Sequence, residues 1–254
     1  MTEPSVSMVR SLIPGLLSIA AEAGKAILEV YGSDFAVEQK DDRSPLTLAD
    51  RRSHEVIAGR LACLQACRLP ILSEEGRNIP YEERRNWELF WLVDPLDGTK
   101  EFVKRNGEFT VNIALISKGR PIAGVIYIPV KDVFYFAAEG LGSYRLDSSV
   151  LSSGSLEAIL NASVRLPLVT RHSSLITVIA SRSHMSAETE EYVAALKARH
   201  EAVDFISAGS SLKFCLLAEG RADTYPRFGP TMEWDTAAAH AVLRFAGGHN
   251  AVVQ

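Results

Sequence analysis

Residues 87–99 read WELFWLVDPLDGT, an apolar run followed at once by two aspartates, a proline, a glycine and a threonine. The run at 87–93 is apolar enough to predict a strand that is buried on both faces. Because Pro95 has no backbone N–H and turns the chain, Asp94, Asp97 and the Thr99 hydroxyl can converge beyond the strand end. That convergence is typical of a metal site, although Asp-Pro and Asp-Gly are also ordinary turn dipeptides.

Further acidic residues occupy comparable positions elsewhere in the chain. The pair at 74–75 follows a short apolar strand, while Asp50 and Asp235 stand where helices are expected to begin. A solvated loop or a helix N-cap explains each of them alone. Clustered carboxylates repel one another, however, and hard cations such as Mg²⁺ prefer carboxylate and carbonyl oxygens. The ligands expected to share such ions are Glu74, Asp94 and Asp97.

The rest of the chain predicts an α+β architecture of helices packed between two sheets. Apolar residues recur every three or four positions from Ile13 to Tyr31, which predicts an amphipathic helix. The consecutive segments FTVNIALI, PIAGVIYI and VFYFAAE indicate an antiparallel meander. Short strands are also expected at 35–38 and 222–226. We expect an N-terminal α+β half at 1–150 with most metal ligands, and a C-terminal α/β half at 151–254 with the substrate contacts.

Composition restricts the partners and the compartment. The 254 residues include 27 Lys and Arg against 31 Asp and Glu, and this negative balance argues against nucleic acid as the main partner. A disulfide scaffold would have more cysteines and an even number of them, whereas this chain has three. A reducing compartment with buried free thiols is therefore expected. No apolar run reaches the roughly 18 residues of a membrane span. We therefore expect a protein that is cytoplasmic, or peripheral to the inner membrane, without a transmembrane segment; the oligomeric state stays open.

Other catalytic classes find less support. The two aspartates are three positions apart, which does not reproduce the Asp-x-Asp-x-Thr pattern of haloacid dehalogenases. No Gly-x-Ser-x-Gly nucleophile elbow occurs. The glycines at 140 and 142 lack the third glycine of a dinucleotide loop and predict a turn.

Taken together, the motifs resemble the inositol monophosphatase superfamily. Its members carry an acidic pair, an Asp-Pro-x-Asp-Gly-Thr loop and a late Trp-Asp before a helix, which correspond here to 74–75, 94–99 and 234–235. The similarity covers nearly the whole chain and implies a layered αβαβα sandwich. The segments GSSLKFCLLAEGRAD and YPRFGPTMEWDTAAAHAV are more similar to the bacterial 3′(2′),5′-bisphosphate nucleotidase branch than to inositol or fructose phosphatases.

The resemblance also implies roles for individual residues. One Mg²⁺ would be held by Glu74, Asp94 and the Leu96 carbonyl, and a second by Asp94, Asp97 and Asp235, with a looser third ion near Glu74. The catalytic group would be Asp50, Thr99 and Glu74, in which Thr99, paired with Asp50, orients and deprotonates the attacking water. The implied substrate contacts are Gly98, Thr99, His184, Ser210, Lys213 and Arg227.

The implied activity is hydrolysis of the small nucleotide 3′-phosphoadenosine 5′-phosphate to AMP and phosphate, linked to sulfate assimilation and sensitive to Li⁺. An inositol monophosphatase stays open as an alternative, as does a nucleotide- or metal-binding protein without turnover. Family members usually continue for a few tens of residues past the helix that follows Trp-Asp, so a final strand is expected to be missing after residue 254.

Overall fold

Two β-sheets form the framework of the protein in the computed structural model, which describes residues 4–33, 45–64, 69–147, 154–169, 175–180 and 186–249. The strands of the first sheet lie in sequence order, with β1 parallel to β2 and every later pair antiparallel. They are β1 (Ile71–Ser73), β2 (Leu89–Asp97), β3 (Thr110–Ser117), β4 (Arg120–Ile128), β5 (Val133–Ala138), β6 (Gly142–Asp147) and β7 (Val164–Arg165). The second sheet pairs β8 (Leu175–Ile179) and β9 (Ala202–Ile206) in parallel.

Helices cover both faces of the first sheet. They are α1 (Val6–Tyr31), α2 (Pro45–Leu61), α3 (Tyr81–Arg84), α4 (Thr99–Val103), α5 (Leu156–Ala162), α6 (Ala187–Arg199), α7 (Leu212–Ala218) and α8 (Glu233–Phe245). α1 packs on α2 and on β3 to β5, α8 packs on β2 to β6 and on α7, and α6 contacts β9. The predicted α+β sandwich is confirmed.

The core shows why the central strands are apolar on both sides. Along β2, Trp91 and Val93 belong to the core shared with α1, whereas Leu92 belongs to the core shared with α7 and α8. Because alternate side chains point to opposite faces, a sheet covered on both faces needs an unbroken apolar run. α8 approaches β4 so closely that a Cβ at Gly124 would lie 2.5 Å from the Ala238 carbonyl oxygen.

The first helix is confirmed as a core element. α1 is capped by Ser5, whose hydroxyl accepts a hydrogen bond from the Met8 N–H, and most of its apolar stripe is buried, with Leu28 and Tyr31 partly buried. By length and composition this helix could cross a membrane, but its buried face contacts α2 and the sheet. α1 thus has the packing expected of a helix inside a globular fold.

Several elements differ from the sequence-based expectation. β2 continues to Asp97, whereas the strand was expected at 87–93, and β6, α5 and β7 were not predicted. The expected strand at 222–226 is reduced to a single bridge between Val178 and Thr224. Cys215 is buried as expected, but the prediction was wrong for Cys63, which is exposed. The strand expected at 35–38, Cys67 and the chain end at 250–254 lie outside the described residues.

The division into halves at residue 150 stays a prediction. Two elements of the C-terminal half pack with the first sheet, since β7 pairs with β6 and α8 covers β3, β4 and β5. The site described below draws residues from both halves.

Candidate active site

The acidic loop at the end of β2 is shaped by a break in strand register. Asp94 pairs with Asn112 and Asp97 with Thr110, so the ladder shifts between the two aspartates. Within the bulge, Asp94 Oδ1 accepts a hydrogen bond from the Leu96 N–H at 3.1 Å. Gly98 then turns the chain into α4 with a φ of 94°, a left-handed conformation that favours glycine.

Asp97 is held in place by the segment that leads into α7. Its Oδ2 accepts hydrogen bonds from the Ser211 N–H at 2.7 Å, the Ser211 hydroxyl at 2.9 Å and the Ser210 hydroxyl. Ser210 has a φ of 50°, which is unusual for a residue with a side chain. Thr110 and Asn112 of β3 complete the network around the same oxygen. All the described hydrogen bonds of this carboxylate thus reach one oxygen and fix its orientation.

Asp94 and Glu74 lie close enough to interact electrostatically. Asp94 is 1% exposed, and burial raises its pKa well above the ordinary value, followed by the negative charges of Asp97, Glu74, Asp50 and Asp235. Partial burial also raises the pKa of Glu74, although a hydrogen bond with Asp94 acts in the opposite direction. The structure therefore brings the predicted acids into one electrostatic group.

Asp50 lies in the second turn of α2, which begins at Pro45, so the expectation that Asp50 stands at the start of a helix was wrong. Burial raises its pKa from 3.8 to about 8, and the charges of Glu75 and Glu74 add to the rise. Its Oδ1 atom is buried and has no hydrogen-bond partner. The predicted pairing with Thr99, which begins α4, is therefore not made through this atom.

Asp235 stands in the first turn of α8, where a carboxylate is favoured by the helix dipole. Its Oδ2 accepts hydrogen bonds from the Thr231 hydroxyl at 2.8 Å, the Met232 N–H at 3.2 Å and the Arg227 guanidinium at 3.2 Å. Arg227 also donates to the Tyr225 hydroxyl at 3.3 Å. A predicted ligand and a predicted substrate contact thus touch each other.

A cavity of about 370 Å³ joins the predicted residues from the two halves of the chain. Its lining comprises Asp97, Gly98, Thr99, Lys100, Glu101, Ser210, Ser211, Lys213, Phe214, Arg227 and Asp235. Glu74 lines a separate cavity of about 440 Å³ that also borders residues 231–234. Asp94 and Leu96 are buried, and His184 lies outside the described residues.

Lys213 is integrated in the cavity wall and is not a freely solvated surface residue. Its ammonium donates to the Ser210 carbonyl oxygen at 3.3 Å and lies 5.7 Å from the centre of the Tyr225 ring. Burial lowers the pKa of Lys213, while Asp97 and Glu101 oppose this shift and Arg227 adds to it. The cationic residues of the cavity lining are Lys100, Lys213 and Arg227.

The donor chemistry of the site fits a hard divalent cation. Among the described residues, no three carboxylate, imidazole or thiol groups are already arranged around one point as a metal site. Asp97 and Asp235 instead direct one oxygen each to protein donors. Burial and the neighbouring negative charges nevertheless raise the pKa values of Asp50, Glu74 and Asp94, and Asp50 keeps a buried oxygen without a partner, so a cation is the counter-charge that would keep these three ionised.

Comparison with known proteins identifies the family. The profile of the inositol monophosphatase family matches residues 8–252. The chain belongs to the inositol monophosphatase family.

Within that family, the chain is 48% identical over 240 residues to the 3′(2′),5′-bisphosphate nucleotidase CysQ of Shigella flexneri, covering 94% of this chain and 89% of the relative. The crystal structure of CysQ from Bacteroides thetaiotaomicron superposes with a TM-score of 0.84 at 50% identity, covering 92% of this chain and 85% of the other. Inositol monophosphatase-II from Staphylococcus aureus gives a TM-score of 0.68 at 21% identity over 94% and 82% of the two chains, which shows the shared fold alone.

Sequence reasoning missed several residues that support the family's acidic loop. The Ser211 N–H donates to Asp97 Oδ2, and the Ser211 hydroxyl lies within hydrogen-bond distance of both Asp97 Oδ2 and the Asp235 carbonyl oxygen, so Ser211 links β2 to α8. Asn112 donates to the Ser211 hydroxyl at 2.9 Å. Ser53 donates to the Pro95 carbonyl oxygen. These are common polar residues far apart in sequence, and none carries a local signal that points to the site.

Proposed function

We propose that the protein is a Mg²⁺-dependent phosphatase that hydrolyses 3′-phosphoadenosine 5′-phosphate to AMP and phosphate and so removes a by-product of sulfate assimilation. The observation that carries the proposal is the cavity in which the acidic loop faces Lys213 and Arg227. The relatives named as 3′(2′),5′-bisphosphate nucleotidases support the same substrate. The proposed location is the cytoplasm, with a small nucleotide as the partner.

Two Mg²⁺ ions and a looser third would be held by the acids around β2. The first set is Glu74, Asp94 and the Leu96 carbonyl, and the second is Asp94, Asp97 and Asp235. Bound Mg²⁺ supplies the positive charge that polarises the phosphoryl group, favours ionised water and neutralises the leaving oxygen. The hydrogen bonds that Ser210 and Ser211 donate to one oxygen of Asp97 hold this carboxylate in one orientation.

Thr99 and Asp50 are the proposed pair that orients and deprotonates the attacking water. Thr99 lies at the cavity wall and Asp50 is buried on the neighbouring helix. Burial is the largest cause of the rise in the pKa of Asp50 to about 8, followed by the charges of Glu75 and Glu74, so a cation near Glu74 would lower this pKa by offsetting the contribution of those charges. An ionised Asp50 can then accept a proton.

Lys213 and Arg227 are the proposed contacts for the second phosphate. A substrate with two phosphates presents one to the acidic loop and the other to these cations, whereas inositol 1-phosphate has only one. Charge-assisted hydrogen bonds to phosphate are among the strongest available to side chains. Gly98 and Ser210 border the same space, and His184 is proposed as a further contact.

The test is product identification by ³¹P NMR with 3′-phosphoadenosine 5′-phosphate, in Mg²⁺ and in EDTA. We expect free phosphate and AMP to form in Mg²⁺ and neither to form in EDTA. Exclusive release of the 5′-phosphate, or equal rates in EDTA, would contradict the proposal. Binding of the nucleotide without any product would favour a non-catalytic binding protein.

A further inference from the structure

One face of α2 reaches both acidic loops of the site. Asp50, Ser53 and His54 are three and four positions apart, which places them on the same side of the helix. The Ser53 hydroxyl donates to the Pro95 carbonyl oxygen at 2.8 Å, and His54 Nδ1 lies 2.9 Å from the Ser73 hydroxyl. Pro95 lies inside the Asp94 to Asp97 loop, and Ser73 immediately precedes Glu74.

These contacts occur where backbone pairing between the two strands ends. The register of β1 and β2 stops at Ser73 and Val93, and the Glu74 N–H to Val93 carbonyl bond follows it. Among the described residues, no further backbone hydrogen bond joins the segment after Glu74 to the loop after Asp94. The two loops therefore need side chains to fix their separation.

Both contacts involve buried polar groups, which water cannot easily reach if the contact is lost. Ser53 is 0% exposed and Ser73 is 5% exposed. The Pro95 carbonyl is an acceptor in a buried loop, and a buried acceptor left without a partner is costly. Loss of the Ser53 hydroxyl leaves this carbonyl without the partner that α2 provides.

We propose that Ser53 and His54 are positioning residues that hold the Glu74 loop and the Asp94 to Asp97 loop at the separation a shared divalent cation requires. The inference rests on the proposed function, because it assumes that these acids bind metal. Neither residue touches the reacting atoms; each acts through the loop that it anchors.

The experiment measures Mn²⁺ binding to the full chain by electron paramagnetic resonance, without substrate. Ser53→Ala and His54→Ala are expected to weaken Mn²⁺ binding by about 10- to 100-fold, the range found when groups that orient metal ligands are removed. Ser53→Thr and His54→Asn, which keep a polar atom near each contact, are expected to recover much of the affinity. Arg51→Ala, on the exposed side of α2, is the matched control and should bind like the unmodified protein.

Circular dichroism and urea unfolding separate positioning from simple structural support. Alanine variants that are folded but bind Mn²⁺ as tightly as the unmodified protein would overturn the proposal, even with a lower Tm. If Ser53→Ala does not fold, His54→Ala at its half-buried position decides the matter by the same criterion. If the unmodified chain binds Mn²⁺ but releases no phosphate from the nucleotide, the proposed function fails while the positioning role stands.

Discussion

Replacing Asp50 by Asn should stabilise the metal-free protein in a pH-dependent way. Asp50 is 5% exposed and has a pKa of about 8 in the folded chain against 3.8 for the free group. Between these values the folded state holds a proton that the unfolded state has lost, so the free energy of unfolding falls as pH rises. Asn is nearly the same size as Asp but does not titrate. The free energy of unfolding of the variant therefore does not fall with rising pH on account of this residue.

The magnitude follows from the distance between the two pKa values. Each pH unit inside the window is worth about 1.4 kcal/mol, so at pH 7 the gain is on the order of 4 kcal/mol. At pH 4 the gain should shrink to less than about 1 kcal/mol, because this pH is close to 3.8 and a large share of the unfolded chains also carry the proton. For a chain of this size the gain at pH 7 corresponds to a Tm increase on the order of 10 °C.

The assay is urea unfolding in EDTA at several pH values between 4 and 8, with circular dichroism as the readout. Glu55→Gln is the matched control, because Glu55 is on the same helix but exposed. Activity should fall at least about 100-fold in Asp50→Asn, as for the loss of a general base. A stability difference that does not change with pH, or an Asn variant less stable than the parent at pH 7, would refute the reasoning.

Three further predictions concern the acidic loop and its ions. Asp94→Asn and Asp97→Asn should lose turnover while their far-ultraviolet circular dichroism stays unchanged, and wild-type rates at saturating Mg²⁺ would show that the metal assignment is wrong. Ser211→Ala should lower kcat/KM about tenfold or more, because Asp97 loses a donor that fixes its orientation, and an unchanged value would remove that role. Li⁺ should inhibit phosphate release at millimolar concentrations where Na⁺ does not, and equal effects of the two salts would contradict the expectation.

The central sheet was predictable because its sequence signal is local. β3, β4 and β5 are three apolar runs separated by short turns, and α1 shows a clear helical period. The missed elements have weak patterns for physical reasons. β7 has two exposed residues, and α5 buries only Ile159. At 222–226 the alternation of strands and helices along the chain favours a strand, but only Thr224 forms a bridge.

The acids of the site were predictable from their motif, whereas the network that orients them was not. Asp97 and Ser211 are 114 positions apart, and Ser53 is 42 positions from Pro95. A serine at such a distance has no pattern that distinguishes it from a solvated serine. Only the fold, which places α2 and α7 beside the end of β2, shows what these hydroxyl groups bind.

The most direct test of the account compares kcat/KM for 3′-phosphoadenosine 5′-phosphate and inositol 1-phosphate at saturating Mg²⁺. Loss of a partly buried phosphate contact costs about 1.5–3 kcal/mol, which is roughly tenfold to a hundredfold. With Lys213 and Arg227 both engaged, we expect the nucleotide to be preferred by at least about two orders of magnitude, and Lys213→Ala to narrow the gap. Comparable efficiency on the two substrates would contradict the assignment of a bisphosphate nucleotidase.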